Sequence, residues 1–150
     1  MRYVNKQHDK FSCGPIAVIN ALKSLNKKAT LRTHRKKFFK LGLKRDGMHI
    51  DRLSESLKFF KVNFKRVKNP TVRDIERVLN AGNKVILCYR WFTETENAGH
   101  YIFIRGHSKK YFCALNDTHA TRKQVMAHFF TRSKRINKGP VMWIIKQGRI

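Results

Sequence analysis

The chain has 150 residues, 41% of them hydrophobic, with 11 Phe, 4 Tyr and 2 Trp. That is enough apolar material for one domain to bury its own core, and it excludes a disordered chain. Against 9 Asp and Glu stand 34 Lys and Arg, a formal charge of +25, which suits contact with a polyanion (nucleic acid, an acidic protein or an anionic surface) and follows equally from a Lys-rich coding bias.

In chain order, the start Met1-Arg2-Tyr3-Val4-Asn5-Lys6 lacks the apolar core of a signal peptide. Residues 14–25 are apolar at 16–19, 21, 22 and 25, nearly all round a helix, which predicts a buried one. Thr30 to Leu41 repeats apolar residues at 31, 38 and 41 and is closed by Gly42, a C-cap signal. The basic run Arg32 to Arg45 carries Phe38, Phe39, Leu41 and Leu43 at helical spacing, so its charges are expected on the outside of a packed helix. A third helix is expected from Asp46-Gly47, through Ile50, Leu53, Leu57 and Phe60. Val62 to Val67 reads as a short strand, and Asn69-Pro70 breaks the chain. Thr71-x-x-Asp74 has capping-box spacing and opens a helix with Ile75, Val78 and Leu79, ended by Gly82.

Beyond Gly82 the pattern turns to short β-rich runs: Lys84–Phe92, Tyr101–Arg105, Lys110–Leu115 and Val141–Lys146. Gly106 to Lys109 is the expected hairpin turn between the second and third. Gln124–Thr131 reads as a helix laid across the sheet. A helical first half packed on a mainly antiparallel C-terminal sheet is an α+β domain, here a single one over residues 1–150. No run approaches the length of a membrane span. The cysteines at 13, 88 and 113 form neither a CxxC pair nor a disulfide framework, so a reducing compartment is expected, cytoplasmic or inside a virus particle. Seven histidines are scattered without ligand spacing, and neither metal nor cofactor is expected.

The chemistry concentrates in three places. Cys13 runs into Gly14-Pro15 and the apolar helix. Pro15 suits a first helical turn, where its missing N–H costs nothing, and Cys13 then sits exposed at a helix start whose dipole favours a thiolate. Cys88 and Cys113, inside strand-like runs, read instead as small buried hydrophobes. His100 opens a strand after Gly99, across the polar, acidic loop Thr93–Ala98, from where it can face a helix N-terminus and complete a Cys–His pair. A third group is needed to orient the imidazole. Asn116-Asp117 ends the following strand and can return an acceptor to the histidine. Adjacent strand residues face opposite ways, so one of the two serves. Asp117 is the better electrostatic partner for an imidazolium and is favoured, whereas Asn116 would only orient the ring. Gln7, six residues before Cys13, can place a side-chain amide beside the Cys13 N–H as a second oxyanion donor.

Gln7, Cys13-Gly14-Pro15-Ile16-Ala17, Gly99-His100-Tyr101-Ile102 and Leu115-Asn116-Asp117 together resemble the bacteriocin-processing double-glycine leader peptidases and their stand-alone relatives, members of the papain-like cysteine peptidase superfamily. The likeness runs in order over nearly the whole chain, through the helix ending at Gly82, Phe129-Phe130 and the closing strand from Gly139. It implies a papain-like fold and a thiol peptidase with Cys13 as nucleophile, His100 as general base and acid, Asp117 as the orienting member and Gln7 in the oxyanion hole. Thr118 stands where the family has a proline after its aspartate, and no transporter domain of the kind that presents such leaders lies in these 150 residues. The resemblance therefore speaks to a peptide or protein substrate without specifying it. The competing reading is a catalytically inactive binding module on the same scaffold. Its basic surface would hold nucleic acid, with Arg35–Phe39 and Lys109-Lys110-Tyr111-Phe112 as basic-aromatic neighbours.

Overall fold

The computed structural model describes residues 3–4, 9, 11–45, 47–92, 97–109, 112–116 and 140–148. Helix α1 spans Cys13–Ser24, and every residue from Cys13 to Leu22 is buried, as a helix apolar nearly all round requires. Its polar exception, Asn20, is fully buried and exchanges two 2.8 Å hydrogen bonds with the main chain of Val4. An otherwise costly buried amide thus ties the N-terminal segment to the helix.

Helix α2 (Leu31–Lys40) opens on Thr30, whose hydroxyl accepts the Thr33 N–H, and it buries Phe38. Its end is the predicted glycine cap. Gly42 has φ +106°, its N–H donates to Phe39, and the Leu43 N–H donates to Phe38, the paired bonds of a Schellman motif. Helix α3 (Ile50–Phe59) begins later than its sequence signal, because Lys44 and Gly47 first close a two-way hydrogen-bonded turn. The expected capping box is present at α4 (Val72–Asn80): the Thr71 hydroxyl accepts the Asp74 N–H and the Asp74 carboxylate accepts the Thr71 N–H.

The sheet has five antiparallel strands in the order β1-β5-β2-β3-β4: β1 (Phe64–Lys68), β2 (Lys84–Phe92), β3 (Asn97–His107), β4 (Phe112–Leu115) and β5 (Val141–Ile145). This is an α+β arrangement, with one strand, β1, drawn from the mainly helical half to pair with β5. Strand β3 is longer than its apolar run, because pairing with β2 continues back to Phe92↔Asn97. His100 therefore lies inside the strand, opposite Tyr89, and does not open it. Gly106 and His107 are also strand rather than turn, since the register shifts after Ile104 and pairing resumes at His107↔Phe112, the signature of a bulge. The helix expected over Gln124–Thr131 lies outside the described residues.

Alternation along the strands divides the core in two. Ile86, Tyr101, Phe103, Trp143 and Ile145 join the cluster under α1, α2 and α3, while Val85, Leu87, Tyr89, Ile102, Ile104 and Met142 pack with Val72, Ile75 and Leu79 of α4. The same alternation corrects the reading of the spare cysteines. Cys88 is half-buried beside the first cluster, and Cys113, on edge strand β4, is exposed.

Candidate active site

The turn that delivers Cys13 to its helix is made by a residue the sequence reading passed over. The Asp9 carboxylate accepts the N–H groups of Phe11 (3.0 Å) and Ser12 (2.8 Å) and the Ser12 hydroxyl (2.7 Å), the local bonding by which aspartate stands in for a backbone turn. Burial alone would raise the Asp9 pKa, but these bonds and the Arg35 charge hold it below the ordinary value. With its hydroxyl engaged by Asp9, Ser12 does not cap α1. Pro15 has no N–H to satisfy in that turn, so the donors at this helix start are left for other acceptors.

One acceptor is the Cys13 sulfur. Cys13 is only 6% exposed, buried where the sequence suggested exposure. The reason lies one residue on. A Cβ at Gly14 would come within 3.3 Å of the Met48 Cβ and 3.4 Å of the Tyr101 ring, so the glycine lets α1 sit hard against β3. Burial pushes the thiol pKa up. The His100 hydrogen bond and charge, with N–H donation from Tyr101 and Gly14, outweigh it and hold the pKa below the ordinary thiol value. The Tyr101 N–H is available because β4 pairs with β3 only from Phe103↔Leu115 onward, leaving the earlier part of that edge to the helix start.

On the other side of His100, Nε2 lies 2.7 Å from the main-chain oxygen of Asn116. Asn116 follows β4 directly and has φ +64°, the left-handed conformation that asparagine tolerates well. A carbonyl only accepts, so Nε2 carries the proton, and Nδ1 of the neutral ring is left as the basic nitrogen. The ring also stands edge-on to Tyr89, with centroids 6.0 Å apart. Among the described residues, the acceptor that the hairpin brings to the histidine is the Asn116 main-chain carbonyl. Cys13 and His100 are brought together; Gln7 and Asp117 lie outside the described residues.

A second missed residue, Tyr101, braces this meeting point. Its hydroxyl donates to the Met48 carbonyl (2.7 Å), and its ring lies 5.9 Å from that of Trp143, whose Nε1–H donates to the Ser54 hydroxyl (2.9 Å). Burial first, then the neighbouring Cys88 and Cys13 thiols, push the phenol pKa far up, so it remains a neutral donor. Its sequence signal was adjacency to His100 alone, and Asp9 was legible only as an Asp-x-x-Ser turn spacing.

No curated protein matches the chain. Among solved structures it is similar to a C39-like peptidase from Bacillus anthracis, with a TM-score of 0.64 and 9% identity over 97% of this chain and 95% of that one. It is also similar to the peptidase domain of Streptococcus ComA, a bi-functional ABC transporter involved in a quorum-sensing pathway, with a TM-score of 0.60 and 13% identity over 97% of this chain and 100% of that domain. At these identities the likeness establishes the fold, an α+β papain-like one. The profile of the Peptidase C39 family matches residues 2–132, which takes in the helix start at Cys13, the strand of His100 and the turn at Asn116. The chain therefore belongs to the Peptidase C39 family and is a cysteine peptidase.

Proposed function

We propose that the chain hydrolyses a peptide bond with Cys13 as nucleophile and His100 as general base and acid. The observation that carries this reading is the 2.7 Å bond from His100 Nε2–H to the Asn116 carbonyl, because it selects the tautomer whose free nitrogen can take the thiol proton. In the first step the proton passes from Cys13 to His100 Nδ1, and the thiolate attacks the peptide carbonyl. The Cys13 N–H, at the uncapped start of α1, and the Gln7 amide carried over from the family resemblance receive the oxyanion. The imidazolium, steadied by the Asn116 carbonyl, then protonates the leaving amine, and water hydrolyses the thioester. Asp117 keeps the orienting role the resemblance gives it, supplementing the Asn116 carbonyl. Iodoacetamide at neutral pH with mass mapping tests the assignment. Cys13, though buried, is expected to react well before exposed Cys113, and Cys13→Ala to abolish cleavage of a peptide library. Equal labelling of the two thiols overturns the reading.

A further inference from the structure

Helix α2 is built against its own electrostatics. Nine Lys and Arg and no Asp or Glu stand between Lys27 and Arg45. Arg32, Lys36 and Lys40 are exposed and four residues apart, which stacks them about 6 Å from one another along one stripe of the helix. Like charges at that spacing destabilise a helix, and α2 has no acidic residue in its first turn to satisfy the dipole. Among the described residues, none of its cations enters an ion pair within 4.0 Å. The helix is held by other means: the Thr30 cap, the Gly42 motif and Phe38, which is buried with its ring 5.5 Å from that of Phe60. Of the stripe, Lys40 lies in the last turn, where a cation suits the helix dipole, whereas Arg32 and Lys36 add nothing to that support.

Beside the stripe lies an aromatic platform. Phe39 is 42% exposed, its ring 6.2 Å from that of Phe11, and the Arg35 guanidinium sits 5.8 Å from the centroid of each. We infer that the exposed face of α2 is a docking site for single-stranded nucleic acid, the phosphates running along Arg32, Lys36 and Lys40 and a base stacking on Phe39. A row of cations with an adjacent open ring is the combination by which single strands are held without sequence preference. An anionic membrane fits less well, because an interfacial helix turns a broad apolar face outward, whereas α2 turns Phe38 inward and keeps Leu31 and Leu41 partly covered. An acidic protein would want an apolar interface core, and this face offers a single ring among charges. The inference is independent of the peptidase chemistry, although Phe11 stands two residues before Cys13 and so places the strand beside the catalytic end of α1.

The test is fluorescence anisotropy of the full chain with a fluorescein-labelled oligothymidylate of about 20 nucleotides, long enough to cover such a site, at stepped salt. Log affinity is expected to fall linearly with log salt. The variant Arg32→Gln/Lys36→Gln/Lys40→Gln should reduce that slope by about 2, at roughly 0.7 for each phosphate no longer neutralised. Phe39→Ala should weaken binding roughly tenfold at fixed salt without altering the slope. A control of equal net charge, Lys65→Gln/Lys68→Gln/Arg73→Gln, should leave the slope unchanged, with circular dichroism confirming that both triple variants are folded. Equal flattening by the two triples would assign the binding to net charge and overturn the site. Competition by polyglutamate as effective as by unlabelled oligothymidylate would assign it to acidic protein, and tighter binding to phosphatidylserine vesicles to membrane. Absence of binding at low salt sinks the inference outright.

Discussion

The two faces of the sheet are covered by helices and yet are built differently. Under α1 and α3 the core is threaded with directional bonds: Tyr101 to the Met48 carbonyl, Trp143 to Ser54, Ser56 to the Met48 sulfur and the Arg52 carbonyl. On the α4 face the packing is mainly apolar, through Val72, Ile75, Leu79, Ile102, Ile104 and Met142 with Tyr89, and a His107–Asn80 bond lies at its exposed end. Hydrocarbon contacts are non-directional and tolerate small shifts, whereas a hydrogen bond weakens steeply when its angle is lost. The face under α1 therefore fixes the position of Cys13, while the α4 face meets the site through Tyr89, which lies opposite His100 and edge-on to its ring. The α4 core beyond Tyr89 can thus be perturbed apart from the Cys13 side of the site.

His100→Ala strikes the candidate site most severely. Loss of general acid–base help should lower peptide cleavage by about a hundredfold or more, read by the rate on any peptide the enzyme cleaves. It should also move the pH profile of Cys13 alkylation. The thiol pKa is depressed, so in the intact protein the thiolate persists as pH falls and is lost only through that lowered value. Without His100 the two largest contributions opposing burial are gone, so the midpoint should rise. A profile that does not move would remove His100 from the site.

Ile75→Ala attacks the α4 core. A fully buried side chain on the α4 face is truncated, and unfolding free energy should fall by about 2–5 kcal/mol in a denaturant titration. The alkylation profile of the folded fraction should stay where it was. A shifted profile would show that the faces are mechanically coupled.

Tyr101→Phe is the complementary change. It keeps the ring against Gly14 and removes only the hydroxyl, leaving the buried Met48 carbonyl without its donor, at a cost of about 1–3 kcal/mol. The main-chain N–H that helps hold the Cys13 sulfur is retained, so the alkylation midpoint should move upward only as far as loss of the Met48 bond lets the strand shift, and kcat should then fall more than KM changes. A stability loss with an unmoved midpoint would reduce Tyr101 to packing.

The smallest effect is expected from Asp74→Ala, which removes half of the α4 capping box at about 0.3–1.5 kcal/mol, with no consequence for the thiol. Asp74 is held below the ordinary carboxylate range by its bonds to Thr71, so its contribution is present above the unfolded-state pKa and lost as pH falls through the lowered one. The variant should accordingly lose the part of the acid-induced decline in stability that Asp74 supplies.

Much of this could be read from residues alone, because the signals were local. Thr71 and Asp74 sit three apart, Gly42 follows the last periodic residue, and the apolar run behind Cys13 is unbroken; each depends on a few neighbouring side chains and the geometry of one turn. The β-rich character of 84–92 was equally plain, being a property of composition. What escaped was set by partners distant in sequence. Asn97 joins β3 because Phe92 lies across from it, and Cys113 is exposed on edge strand β4. The role of Tyr101 depends on Met48, 53 residues away. Cys13 and His100 were identified by type and context, since thiol and imidazole chemistry is intrinsic to the side chains. Their meeting rests on a glycine small enough to let a helix touch a strand, and the tautomer the proposed mechanism uses rests on a carbonyl that the β3–β4 pairing brings within reach. No one-dimensional pattern encodes either separation, because both are decided by how close two packed surfaces can come.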